Sequence, residues 1–231
     1  MSSVTSTSPH EESLLHDVAE GIEGIAIIAA AFFTPFMRGQ RGHWGLDEAA
    51  ATREYPGDEL IMEPRWGWTH GVEIDAPPEK VWPWVAQMGG DHAGFYSYQW
   101  LLDGTTHSAH DADRVHPEWS LRTGAQLFLH PSIPPMPVVA VAARRYIVAC
   151  AHSEAPEVET SWLLFLEPLE GGGRTRVVSR FRCACSDDVV TRLQYGPTLI
   201  EPIGYAMDRR MLLGLKAHVE TALAPAQTAH L

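Results

Sequence analysis

Basic residues are scarce in this chain: 17 Lys and Arg stand against 29 Asp and Glu, for a formal net charge of -12. No run of Lys and Arg offsets that balance locally, so a phosphate backbone is repelled and nucleic acid is excluded as a natural partner. Cysteine is also scarce, at 3 residues, and an odd number with no Cys-x-x-Cys spacing gives neither a disulfide framework nor a zinc cluster. Cys150, Cys183 and Cys185 read as reduced thiols, and the expected compartment is the cytoplasm. No Gly-x-Ser-x-Gly elbow, phosphate-binding loop or strand-linked Gly-x-Gly-x-x-Gly occurs, so no nucleotide or other cofactor is expected.

Long apolar runs are missing as well. The longest uncharged stretch of the N-terminal part, Gly24–Met37, would form a helix of about 21 Å, short of the roughly 30 Å hydrocarbon core of a bilayer. No Lys or Arg precedes Arg38, and Glu11, Glu12, Asp17, Glu20 and Glu23 occupy the place of a basic leader, which argues against secretion. Leu15, Val18, Ile22, Ile25, Ala29, Phe32 and Phe36 alternate three and four steps apart, the seam of a helix packed on something. Its own domain, a second copy of the chain or a membrane surface are the partners this seam suggests. Homodimerisation and peripheral membrane contact through the helix are therefore both expectations to test.

What is present reads as one folded unit with extensions. Residues 1–12 are rich in Ser and Thr and expected to be a disordered tail; 13–37 form the apolar helix; 38–68, with scattered Gly, Pro and charge, form an irregular connection; 69–224 form the compact domain; 225–231 form a tail. Thr69–Asp75 alternates like a strand, and Ala76-Pro77-Pro78-Glu79 starts a helix whose inner face is Val81, Trp84, Val85 and Met88, stopped by Gly89-Gly90. Five β-rich runs follow, over Ala125–His130, Val138–Ala143, Arg145–Ala151, Glu159–Glu167 and Thr175–Cys185, with turn clusters between them. In the last run Arg176, Val178, Arg180 and Arg182 share one face, and Val177, Ser179, Phe181 and Cys183 the other. A long helix from about Pro197 to Leu223 closes the chain, with Ile200, Ile203, Met207, Met211, Leu215 and Ala222 as its apolar stripe. Strand, helix, antiparallel meander and long helix make an α+β plan, in which the sheet wraps the final helix.

Several stretches together carry a resemblance. IDAPPEKVWPWVAQMG at Ile74–Gly89, GFYSYQWL at Gly94–Leu101, ADRVHPEW at Ala112–Trp119 and DRRMLLGLK at Asp208–Lys216, with GDEL at Gly57–Leu60, resemble bacterial members of the SRPBCC superfamily. That is the START-like, birch-pollen-allergen-like group often labelled polyketide cyclase/dehydrase and lipid transport. The resemblance implies a helix-grip fold, a curved antiparallel sheet gripping a long C-terminal helix around a largely apolar cavity.

Three functions are compatible with this reading. The first is binding of a hydrophobic small molecule, lipid, polyketide or aromatic, in that cavity. Its wall is assigned to Trp84, Met88, Phe95, Trp100, Val177, Phe181, Cys183, Met207 and Met211. The second is a cyclase- or dehydratase-like lyase or isomerase working by general acid–base chemistry against an apolar wall, with His92, Tyr96, Tyr98 and Asp103 as candidates. The third is non-enzymatic, with the N-terminal helix serving oligomerisation or a membrane surface. His107, His110, Asp111, Asp113, His116 and Glu118 are dense enough to raise metal binding, but their spacing fits no zinc or iron pattern. Asp113, Arg114 and Glu118 are instead expected to tie down a loop, and no metal is expected.

Overall fold

The computed structural model describes residues 9–98, 112–129 and 134–224, with the side chains of 9–18 left aside. Trp100, Asp103, His107, His110 and Asp111 lie outside the described residues, as do the tail 225–231 and residues 1–8.

Six antiparallel strands build one sheet in the order β1-β6-β5-β4-β3-β2: β1 Trp66–Ile74, β2 Gln126–Leu127, β3 Met136–Ala142, β4 Tyr146–Glu154, β5 Glu157–Pro168 and β6 Thr175–Cys185. Sequential strands pair from β2 to β6, as the meander predicts, and β1 closes onto β6 with Trp66 opposite Cys183 and Ile74 opposite Thr175. Two short helices, α2 Arg38–Arg41 and α3 Glu48–Thr52, precede the sheet, α4 Pro78–Ala86 follows β1, and α5 Val189–Tyr195 follows β6. The C-terminal helix α6, Ile200–Leu223, lies across the concave face, which makes the architecture a helix grip.

Alternation sets the faces. Inward side chains of β1, β4, β5 and β6, including Ile74, Ile147, Leu166 and Val177, join Val81, Trp84, Val85 and Met88 of the α4 region and Met211, Leu212 and Leu215 of α6 in the main core. The outer face is not left to water. Residues 38–65, expected to be irregular, form α2, α3 and a 3-10 turn at Asp58–Leu60 and wrap the sheet, so that Tyr55 packs with Val148, Leu163 and Val178. Arg180 reaches Asp58 at 2.8 Å and Arg182 reaches the Ile61 carbonyl at 2.6 Å, so these arginines hold down the wrap. Gly45 permits the close approach: its φ is +78°, and a Cβ there would lie 1.9 Å from the Gly71 carbonyl oxygen.

Two helical faces differ from expectation. On α6 the buried side chains are Glu201, Pro202, Ala206, Asp208, Met211, Leu212, Leu215 and Val219, whereas Ile203 and Ala222 are exposed. Hydrophobicity alone misplaces the stripe because its two acids are buried by pairing: Glu201 takes a bidentate contact from Arg41 at 2.9 and 3.0 Å, and Asp208 is matched from the sheet.

The N-terminal helix α1, Pro9–Phe33, begins inside the expected tail and lies along α6. Glu23 approaches Arg209 at 3.6 Å and Glu20 pairs with Arg210. The side turned inward carries Gly24 and Ala31, and the seam residues Ile22, Ile25, Phe32 and Phe36 face out. The uncharged half of α1 is apolar around its whole circumference, so the larger residues do not reveal which side is covered. Among the described residues no single helix is long and apolar enough to cross a membrane. Ala19–Phe33 and Pro35–Arg41 reach that measure only as a pair bent by 92°.

Candidate functional site

The main buried polar assembly on the concave face joins three strands to α6. His70 on β1 stands directly opposite Ser179 on β6, and both point at the middle of α6, where Asp208 lies between them. Asp208 Oδ2 is 2.6 Å from His70 Nδ1, Ser179 Oγ donates to Asp208 Oδ1 at 2.6 Å, and Trp162 Nε1 on β5 donates to Ser179 Oγ at 2.9 Å. His70 is 1% exposed and Asp208 6%. A carboxylate so far from water needs its oxygens matched, and this chain of donors matches both.

The direction of the chain follows from the donor inventory. An indole N–H only donates, so Ser179 accepts from Trp162 and its single hydroxyl proton is directed at Asp208. Asp208 Oδ2 accepts the hydrogen bond of His70 Nδ1–H. In the neutral imidazole Nε2 is then an acceptor. Among the described residues Nε2 has no hydrogen-bond partner.

Aromatic rings surround this imidazole. Trp68 stacks on it at 5.5 Å with 5° between planes, and Trp44 and Tyr205 present edges at 6.4 and 5.7 Å. Trp68, Trp44 and Tyr205 are all half-buried, and the Trp68 indole N–H is buried without a partner among the described residues. The polar assembly therefore lies beside half-buried rings of β1 and α6 and of Trp44.

The residues singled out from sequence divide. Trp84, Met88, Phe95, Val177 and Met211 belong to the main core, with Phe95 against Trp162 at 5.9 Å. Phe181 and Cys183 belong to a smaller cluster with Trp66, and Phe181 stacks on Trp68 at 4.6 Å, next to His70. Met207 is half-buried, and its carbonyl accepts from Ser97 Oγ at 2.9 Å. Burial pushes the Cys183 thiol up to about 12, which suppresses its nucleophilic form.

The acid–base candidates are spread apart. Tyr96 is buried, and its hydroxyl donates to the Trp84 carbonyl at 3.1 Å while accepting from Gln87 Nε2 at 2.8 Å. Tyr98 lies under α1, its ring against Gly24; burial raises its hydroxyl above the ordinary phenol value, and that oxygen has no partner among the described residues. His92 is near the surface, paired with Asp91 at 2.7 Å and edge-on to Trp119 at 6.0 Å.

The loop tie also has a different centre from the one expected. His116 lies 3.4 Å from Arg114 Nε and 3.2 Å from Glu118, and stacks on Trp119 at 4.1 Å. Its amide donates to Gln87 Oε1 at 2.7 Å, whereas Asp113 is exposed and outside the tie. Hydrogen bonds from its own amide and from His116 hold the Glu118 carboxyl below its ordinary value. Among the described residues no group of His, Cys, Asp and Glu is arranged to hold a metal ion.

His70, Ser179 and Asp208 were not among the sequence candidates, although the signal for them is there. The alternation of β1 places His70 with Trp68, Val72 and Ile74 on the apolar face, and Asp208 shares a helical face with Met211, Leu212 and Leu215. A polar residue on an apolar face of each element is the pattern of a buried pair.

No protein-family model matches the chain, and no curated protein matches it. Among solved structures it is similar to a Polyketide_cyc-like protein of Corynebacterium glutamicum, with 16% identity over 71% of this chain and 97% of that one and a TM-score of 0.37. It is similar to a protein of Deinococcus radiodurans with 16% identity, 68% and 100% coverage and a TM-score of 0.37. A third similar structure is DynU16 of the dynemicin biosynthetic locus, with 15% identity, 69% and 49% coverage and a TM-score of 0.36. The helix-grip assignment rests on the strand order and on the placement of α6.

Proposed function

We propose that the chain binds an apolar small molecule carrying one hydrogen-bond donor, such as a phenol, an enol or an alcohol. The molecule sits beside half-buried rings, with its donor on His70 Nε2. The observation that carries this reading is the Trp162–Ser179–Asp208–His70 chain, which fixes the imidazole in place and leaves one nitrogen over. The half-buried rings of Trp68, Phe181 and Tyr205 supply an aromatic wall beside that nitrogen.

Competition for anilinonaphthalene sulfonate bound to the protein tests this reading. Naphthol, which offers a hydroxyl, is expected to displace the probe about tenfold better than naphthalene, the factor that one well-made hydrogen bond of ~1.4 kcal/mol supplies. His70→Phe is expected to erase the preference. Equal displacement by the two compounds in the unaltered protein sinks the anchor, and native mass spectrometry of freshly isolated protein would name the natural occupant.

A second reading is favoured by the same pair. A carboxylate that holds an imidazole by Nδ1 leaves Nε2 as a general base, suited to removing a proton beside a carbonyl. Catalysed deuterium exchange at the α-carbon of a naphthyl ketone, lost in His70→Gln with probe binding retained, is the outcome it requires. Without any exchange above buffer, the binding reading stands alone.

A further inference from the structure

Trp68 and His70 lie two residues apart on one face of β1, and their rings are stacked with 5° between planes and centroids 5.5 Å apart. Both are seated against the C-terminal helix. Asp208 holds His70 Nδ1, and one turn earlier a Cβ on Gly204 would lie 2.5 Å from Cη2 of Trp68, so the six-membered ring of the indole rests on α6. Phe181 from β6 stacks on the Trp68 ring at 4.6 Å. What these contacts leave over is the pyrrole nitrogen: Trp68 Nε1–H is buried without a hydrogen-bond partner among the described residues.

The two stacked rings thus carry unmatched atoms of opposite character. With the proton on Nδ1, Nε2 of His70 only accepts, and Nε1 of Trp68 only donates. Buried polar groups of folded proteins are nearly all matched, so an orphaned indole N–H marks a place where an acceptor is missing. An aromatic amine would serve the imidazole and leave the indole unmatched; an ether oxygen would do the reverse. A hydroxyl donates and accepts at once. Rings stacked at 5.5 Å are close enough for one oxygen, about 2.9 Å from each nitrogen, to serve both.

We propose, resting on the His70 anchor, that Trp68 is a second ligand-binding residue: its indole N–H donates to the same hydroxyl oxygen that donates to His70 Nε2. The site then takes apolar alcohols and phenols in preference to amines and ethers of the same shape.

Probes of nearly one shape test this by displacing anilinonaphthalene sulfonate: naphthalene offers neither group, naphthylamine a donor, methoxynaphthalene an acceptor and naphthol both. Naphthol is expected to bind about threefold tighter than the amine, and the ether about threefold tighter than naphthalene, the gain of one modest hydrogen bond. In Trp68→Phe the ether loses its advantage, while the amine keeps its own over naphthalene. Because that substitution also removes packing on Gly204, a second measurement uses the unaltered protein. Hydrogen exchange at the Trp68 indole N–H, followed by NMR, is expected to slow more with the ether than with the amine. An ether that displaces no better than naphthalene, with naphthol still preferred, overturns the Trp68 contact and leaves the His70 anchor; equal slowing of exchange by ether and amine overturns it as well. Naphthol no better than naphthalene overturns both the contact and the anchor.

Discussion

Asp208 and His70, 138 residues apart in sequence, meet at 2.6 Å and join the C-terminal helix to the first strand. Neither side chain is stable there alone. Asp208→Ala leaves a buried imidazole and a buried serine hydroxyl unmatched, and such a removal costs about 3–5 kcal/mol. Ser179→Ala, which removes one of the two donors, costs about 1–2 kcal/mol. Because both changes break one chain of hydrogen bonds, the double variant is expected to lose less than the sum, by about 0.5–3 kcal/mol. Urea denaturation of the four proteins measures this, and strict additivity would show that the chain does not act as a unit.

Tyr96→Phe is expected to separate structure from function. The hydroxyl is already engaged with Gln87 and with the Trp84 carbonyl, so its removal leaves buried partners short and lowers stability by about 1–2 kcal/mol. The naphthol preference is expected to remain. If Tyr96→Phe abolishes the preference while His70→Phe keeps it, the anchor belongs to the tyrosine.

Much of the fold is legible in the sequence because it rests on period. β6 runs over Thr175–Cys185 as its alternation predicts, and the inner face of the α4 region is Val81, Trp84, Val85 and Met88. The polar centre is harder to read, since His70, Ser179 and Asp208 lie on three elements and only the sheet register and the seating of α6 bring them together. The faces of α1 and α6 mislead for a related reason. Glycine and alanine allow closer helix approach than isoleucine or phenylalanine, so the covered side of α1 holds the smaller residues. On α6 a buried Glu201 is offset by Arg41 from a distant segment.

Gly214→Ala tests the seating of α6. A Cβ at this position would lie 2.1 Å from the Tyr96 carbonyl oxygen, closer than any real contact, and the atom it meets is backbone. Relief requires α6 or the Tyr96 segment to move, at a cost of at least about 1–3 kcal/mol by analogy with other overpacked sites. Gly173→Ala is the control, since a Cβ there meets nothing within 4 Å. Equal unfolding midpoints for the two variants would mean that the Tyr96–Gly214 contact is not held in solution.

Thiol labelling reads the inner face of β6. Cys183 is buried and its thiol is pushed up to about 12, while Cys185 is half-buried at the end of the same strand. The thiolate is the reactive form, so iodoacetamide at pH 8 is expected to modify Cys185 well before Cys183. Cys183 should react only as denaturant opens the sheet. Rapid native labelling of Cys183 would place it at an open surface.

Asp188 gives the clearest dependence on pH. It caps α5, accepting from the Thr191 amide at 2.9 Å and from the Ser186 hydroxyl at 2.6 Å, and these bonds lower its carboxyl from 3.8 to about 2. A group whose folded value is depressed contributes stability above its ordinary value and loses that contribution as pH falls through the folded one. Protection of the α5 amides from hydrogen exchange, followed by NMR, is therefore expected to hold above pH 4 and to fall between about pH 4 and about pH 2. Asp188→Ala should show the low-pH behaviour of this helix already at neutral pH, while β5 and β6 keep their protection. An α5 that exchanges identically in both proteins across that range would remove the cap from the account.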